Sequence, residues 1–195
     1  MIKEAILVQY GAVTKQLSKG ETLFQEGETP IFYYQVLTGE MRLVNYNEKG
    51  KEMIQGIFQK GEGFSSPAII GGFPACSNAE ATQPTSLICL ERSRFLKMLS
   101  ENNDISLMLL EHISKRLQYR TLIAKEINCH EAELRILNLL RFLKEESGQK
   151  GEYKVALTRQ TIANIIGLRV ETVIRAIKNL KDKKYLSVKG TTLYL

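Results

Sequence analysis

The chain has 195 residues, 44% of them hydrophobic, and 27 Lys and Arg against 21 Asp and Glu give a formal net charge of +6. That length suits one or two domains with real apolar cores, and no apolar run approaches the roughly 18 residues that mark a membrane helix. The opening stretch MIKEAILVQYGAVTKQL is broken by polar residues and carries no signal-peptide pattern, so the expected location is the cytoplasm.

Residues 1–16 are expected to form a short helix. From Leu17 the pattern turns to β, punctuated by Gly20, Gly27, Gly39, Gly50, Gly56, Gly61 and Gly63. Short apolar runs lie between them at Thr22–Phe24, Ile31–Leu37, Met41–Tyr46 and Met53–Phe58, with another at Ser86–Leu90. Short strands with frequent turn signals indicate a sandwich or barrel. Asn47-Glu48-Lys49-Gly50 reads as a hairpin loop. Residues 92–103 read as a short helical connection.

A long helix is expected from Asp104, as its cap, to Asn128. Leu110, Ile113, Leu117, Ala124 and Ile127 follow 3-and-4 spacing, interrupted by Arg120. This stripe either packs on the chain's own β domain or forms a seam with a second copy. The helix length and its place between two domains favour the seam. Glu131–Lys144 is a further amphipathic helix, ended by Ser147-Gly148, and Lys150–Leu157 can hold a small strand.

Thr158 to Lys184 reads as two helices joined by a tight turn. Thr158 is a fitting N-cap, and Gly167 stands where the chain must turn with positive φ. In the second helix Val170, Val173, Ala176, Ile177 and Leu180 share one side, with Ile174 on the border. Glu171, Thr172, Arg175, Lys178, Asn179 and Asp182 share the other. These polar types read base edges and grip phosphates, as in a helix-turn-helix with a recognition helix. The alternative is a surface helix pair with a solvated face. Tyr185–Leu195 alternates apolar and polar residues around Lys189-Gly190, which predicts a hairpin with that pair at its tip. Such a hairpin after a helix-turn-helix makes a winged helix.

Charge supports this reading. Residues 131–195 hold 13 Lys and Arg against 7 Asp and Glu, whereas residues 1–130 hold 14 of each. A basic domain beside a neutral one is the electrostatic footprint of nucleic-acid binding. Cys76, Cys89 and Cys129 form no metal-binding spacing, and His112 and His130 read as surface or packing residues. No catalytic constellation is visible. No metal, cofactor or enzymatic activity is expected.

The parts in this order resemble the cyclic-AMP receptor/fumarate–nitrate regulator (Crp–Fnr) family of bacterial transcription factors. The likeness is strongest in LTRQTIANIIGLRVETVIRAIKNL (157–180) and extends through KGETLFQEG (19–27), YQVLTGEMRL (34–43) and Gly61-Glu62. It implies an α+β chain in three parts. Residues 1–103 would form an N-terminal β-roll, a double-stranded β-helix or jelly roll of the cyclic-nucleotide-binding kind. Residues 104–130 would be a dimerisation helix, and 131–195 a winged helix. It further implies a homodimer on double-stranded DNA, with RNA polymerase as a partner and no membrane role. Glu171 and Arg175 would read bases. Arg169, Thr172, Lys178 and Lys189 suit phosphates.

The departures bear on the effector. Nucleotide-binding members carry a Gly-Glu pair that holds the ribose and an Arg-Ser/Thr-Ala run that holds the phosphate. The matching positions here are Ser65-Ser66 and Ser77-Asn78-Ala79, and no arginine lies between Arg42 and Arg92. A buried cyclic phosphate needs a paired cation or many amides. The expectation is a regulator whose roll does not bind cyclic AMP, with no effector named by these residues. The alternatives are a nucleotide-gated regulator with unusual pocket ligands and a nucleotide-binding module that regulates a partner protein. Val170 and Ile174 also depart, from the arginine of the nucleotide-responsive branch and the serine of the oxygen-sensing branch.

Overall fold

The computed structural model describes residues 2–129 and 131–195; His130 lies outside them, as does the side chain of Cys129. The chain divides into two units, Met1–Leu117 and Gln118–Leu195. Among the described residues no helix is long and apolar enough to cross a membrane.

The first unit begins with α1 (Glu4–Gln9) and β1 (Val13–Leu17). The helix expected over 1–16 is therefore short. Gly11 at φ 82 breaks the chain, and the following alternation pairs with a later strand. Next come β2 (Thr22–Phe24), β3 (Phe32–Thr38), β4 (Glu40–Tyr46), β5 (Glu52–Gln59) and β6 (Gly63–Phe64). After α2 (Ser66–Gly71) follow β7 (Asn78–Ala81), β8 (Thr85–Glu91) and α3 (Arg92–Glu101). The antiparallel strands form two four-stranded sheets, ordered β1-β8-β3-β6 and β2-β7-β4-β5. Between β4 and β5, the Asn47 side chain accepts from the amides of Lys49 and Lys51, closing the hairpin.

Two cores follow from strand alternation. In β8 and β3, Leu87, Cys89, Tyr34 and Val36 point between the sheets, where they join Phe24, Met41, Phe58, Phe64 and Ala79. The intervening Ile88, Leu90 and Tyr33 point the other way, onto Leu7, Ile69, Phe95, Met98 and Ile105. β8 is thus buried on both faces, which explains its continuous apolar run. Tyr33 stacks on Phe95 at 4.4 Å, and its hydroxyl donates to the buried Gln35. Gln35 donates in turn to Ile2 O at 2.9 Å, so the buried amide is satisfied.

α4 runs from Asn103 to Cys129 and contributes to both units. Asp104 sits inside its first turn, not at the cap.

The second unit holds the rest of α4, α5 (Ala132–Ser147), β9 (Lys154–Val155), α6 (Arg159–Ile166), α7 (Val170–Asp182), β10 (Ser187–Lys189) and β11 (Thr192–Tyr194). The last two strands and β9 form a small sheet, ordered β10-β11-β9. The α5 residues Ile136, Leu137, Leu139 and Leu140 are buried, and α5 packs against α6 and α7.

Candidate nucleic-acid interface

α6 and α7 are locally specified. The Thr158 hydroxyl accepts from the Thr161 amide at 3.0 Å, capping α6. Gly167 ends α6 at φ 71, a left-handed conformation that costs glycine least, and its amide bonds back to Ala163 O. Leu168 and Arg169 complete the turn, and Arg169 occupies the N-cap position of α7.

Burial divides α7 sharply. Val173, Ala176, Ile177 and Leu180 are all 5% exposed or less. Glu171, Arg175 and Lys178 are exposed, Thr172 and Val170 are half-buried, and Arg169 is exposed at the turn. Residues 171, 174, 175 and 178 fall at i, i+3, i+4 and i+7, so they share one outward stripe. Ile174, placed on the border by the sequence pattern, belongs to this stripe and is 54% exposed. Asn179 and Lys183 turn away from it to Glu133 on α5, at 2.9 and 2.6 Å. The Lys183 and Asn179 hydrogen bonds lower the Glu133 carboxyl below its ordinary range. This pin between α5 and α7 left no mark in the local sequence pattern, because its partners are about 50 residues apart.

The wing differs from its expected form in two ways. Lys189 pairs with Thr192 across the hairpin, so the two-residue loop is Gly190-Thr191 and Lys189 is the last strand residue. Gly190 has φ 61, as the first position of a type II′ turn requires. Lys189 also donates to both Glu152 oxygens, at 2.8 and 2.9 Å, and lies 4.6 Å from the Tyr194 ring centre. Arg159 donates to the carbonyl of Thr191 at the loop. Glu152 and Arg159 were not singled out from sequence, and both act on the wing.

In the first unit the positions matched to an effector pocket are committed to structure. Ser65 takes φ 67 and donates to Phe32 O at 3.1 Å. Ser66 and Ser77 are buried. Asn78 donates to Val44 O at 3.2 Å and accepts from the Glu26 amide at 3.0 Å. The arginines bordering the gap are engaged too. Arg42 meets Glu52 and Glu80 at 2.9 and 2.8 Å, and Arg92 donates to Ile69 O.

Phe64, the residue before Ser65, belongs to a cluster of aromatic rings. Phe64 lies 5.5 Å from Tyr34, 5.3 Å from Phe58 and 6.4 Å from Phe24, between ring centres. Arg116 of α4 covers Phe58 at 4.5 Å, and its guanidinium lies against Gly56, where an added Cβ would stand 2.1 Å from it and make the arginine shift. Burial pushes the Tyr34 phenol up to about 12 and the Cys89 thiol up to about 11, as befits an apolar interior. Cys76 is exposed.

Along α4 the residues expected at the seam differ in exposure within the single chain. Ile113 is partly buried against the first unit's own core. Ile127 is half-buried beside Gly167 in the second unit. Leu107, Leu110 and Leu117 are 65%, 60% and 67% exposed, and Ser114, Thr121 and Ala124 continue their 3-and-4 spacing on the exposed side. Arg120 is exposed. Ile113 and Ile127 thus lie partly covered by their own units, whereas Leu107, Leu110 and Leu117 lie on an exposed side of the helix.

A β-roll followed by a long helix and a winged helix defines a class, the two-part regulators that place a sensor-type roll ahead of a DNA-binding domain. Residues 14–102 match the cyclic nucleotide-binding domain, and residues 134–195 match the Crp-like helix-turn-helix domain. The cAMP-activated global transcriptional regulator CRP of Pasteurella multocida is 26% identical over 177 residues, covering 88% of this chain and 84% of its own. The fumarate and nitrate reduction regulatory protein of Vibrio cholerae is 28% identical over 185 residues, covering 90% and 72%. A solved mutant of CooA from Carboxydothermus hydrogenoformans has the same fold, with TM-score 0.83 and 19% identity over 99% of this chain and 86% of that one. The chain belongs to the Crp–Fnr family of DNA-binding transcription regulators.

Proposed function

We propose that this regulator binds double-stranded DNA as a homodimer, reads a G·C-containing half-site with Glu171 and Arg175, and does so without cyclic AMP. The observation that carries the reading is α7: its apolar side is buried and its Glu171, Arg175 and Lys178 stripe faces outward from the basic third of the chain. An arginine can donate twice to guanine O6 and N7, and a glutamate can accept from the cytosine N4 amine. Arg169, Thr172 and Lys178 surround the pair and suit phosphates. Lys189 suits one after it exchanges Glu152 for DNA.

The parts divide as a sensor-like roll over 1–103, a dimerisation helix over 104–130 and a DNA-binding domain over 131–195. The second copy would cover Leu107, Leu110, Leu117 and Ala124. Two recognition helices about 34 Å apart would enter successive major grooves. RNA polymerase is the expected downstream partner, in the cytoplasm, with no membrane role and no enzymatic one.

The roll argues against nucleotide gating. The rings of Phe24, Tyr34, Phe58 and Phe64 pack together in the roll's interior, and Asn78 spends its amide on the fold. The name of one relative, the cAMP-activated regulator of Pasteurella multocida, favours the other reading, a roll that takes cyclic AMP through unusual ligands, whereas that of the Vibrio cholerae relative does not. Selection of bound sites from random DNA, with and without cyclic nucleotide, tests both. The expected result is the same two-fold-symmetric site in either condition, and no calorimetric heat with cyclic AMP or cyclic GMP. Micromolar nucleotide binding, or DNA binding only in its presence, would overturn the effector part. Failure to enrich any sequence would overturn the base-reading part.

A further inference from the structure

We infer that the outer edge of the wing strand β10 takes an extended acidic segment of a partner protein as a further strand. Lys184, just past α7, has φ 62, a left-handed conformation at a helix end where glycine is the low-cost residue. Among the described residues the other non-glycine with positive φ is Ser65, and it has a local reason, a hydroxyl that donates to Phe32 O. Lys184 has no such reason: among the described residues neither its ammonium group nor that of Lys181 makes a hydrogen bond or an ion pair. The two lysines line one groove with Tyr185 and Val188, between the end of α7 and β10. Tyr185 is 53% exposed there, and Glu152, on the same groove, is already taken by Lys189.

β10 is the outer strand of the sheet β10-β11-β9. Lys189 and Thr192 close the two-residue loop as a hydrogen-bonded pair, so Val188 and Leu193 are the next, non-bonded pair. The Val188 N–H and C=O therefore point away from β11, at the open edge of the sheet. Such an edge is a template for one more strand. β10 has only three residues, so backbone bonds alone hold little, and the lysines decide what is held. A segment with carboxylates on one face of its strand meets Lys181 and Lys184, and an apolar residue of it rests on Tyr185. DNA phosphates also attract lysines, but a duplex has no amide groups to continue the ladder. Lys181 moreover stands six residues beyond Arg175, about 9 Å farther along α7.

The probe is a fluorescein-labelled, end-capped peptide of alternating Glu and Val, titrated with the full chain and read by anisotropy at low salt. Binding is expected with a Kd below about 1 mM. The same peptide with alternate backbone amides N-methylated should not bind, because it cannot complete the ladder. Lys181→Ala and Lys184→Ala should each weaken the peptide about 1.5- to 5-fold. Lys184→Gly should weaken it as much while raising the melting temperature by about 2–4 °C, since glycine relieves the left-handed backbone. That rise separates loss of the side chain from loss of the fold. The wild-type arms need no variant to fold. The inference is overturned if the wild type does not take up the peptide at millimolar concentration, if N-methylation changes nothing, or if Lys184→Gly binds as well as the wild type. A smaller salt slope for DNA in the Lys181→Ala, Lys184→Ala protein, with the peptide still bound as before, assigns both lysines to phosphates and overturns it too.

Discussion

Truncating Leu117 to alanine should separate dimer from monomer. Leu117 is 67% exposed in a single chain, and Leu107 and Leu110 are 65% and 60% exposed. Fully burying a leucine is worth about 1.5–3 kcal/mol, so covering two thirds of one gives about 1–2 kcal/mol. The change occurs twice in a symmetric pair, so Leu117→Ala should cost the dimer about 2–4 kcal/mol. That corresponds to a Kd roughly 30- to 700-fold weaker. The monomer's own fold should be nearly untouched, because the side chain is not part of its core. Ile113→Ala should do the reverse: it packs on the first unit's own core, so it should lower unfolding stability by about 2 kcal/mol and leave the dimer Kd nearly unchanged. Sedimentation equilibrium over nanomolar to micromolar protein measures the first effect, and urea unfolding the second. A wild-type protein that stays monomeric at micromolar concentration refutes the seam, as does a Leu117→Ala protein with unchanged Kd.

On its selected site, Arg175→Ala should lose about 1–3 kcal/mol and relax the preference at one base pair, which a competition panel of single-base variants reads. Lys189→Ala should weaken all sequences alike and reduce the salt slope by less than about one, since Glu152 already neutralises this lysine; Glu152→Gln should tighten binding to every sequence. Phe64→Ala should cost about 3–5 kcal/mol in urea unfolding, because it empties the centre of the ring cluster; a loss under about 1 kcal/mol would mean that the interior is not packed as described. His112 is held below its ordinary value of 6.5 by burial and then by the Arg116 charge, with Glu62 pulling the other way. The unfolded chain therefore takes up the proton first, and stability is lost as pH falls through about 6.5 toward the lower folded value. Melting temperature should drop between pH 7.5 and 5, less so in His112→Gln; equal drops in both proteins would refute the assignment.

Much of this protein was legible in its sequence because the deciding interactions are local. Thr158 and Gly167 announce the ends of α6, and the 3-and-4 spacing of Val173, Ala176, Ile177 and Leu180 announces the buried side of α7. Glycine-punctuated apolar runs announce most strands of the roll, and the charge excess of residues 131–195 marks the basic domain. What needed the tertiary structure was whatever depends on partners far along the chain. β6 and β7 are too short to show a pattern, and they exist because β3 and β4 offer them an edge. Ile113 and Leu117 look equivalent as spacings, yet only the roll decides that one packs on it and the other stays exposed. Lys189 reads as a free phosphate ligand until Glu152, 37 residues earlier, is found beside it. Ile174 reads as a border residue until burial shows it on the outer stripe. Sequence periodicity states that a residue is apolar and where it lies on its element; which surface reaches that side is decided by folding.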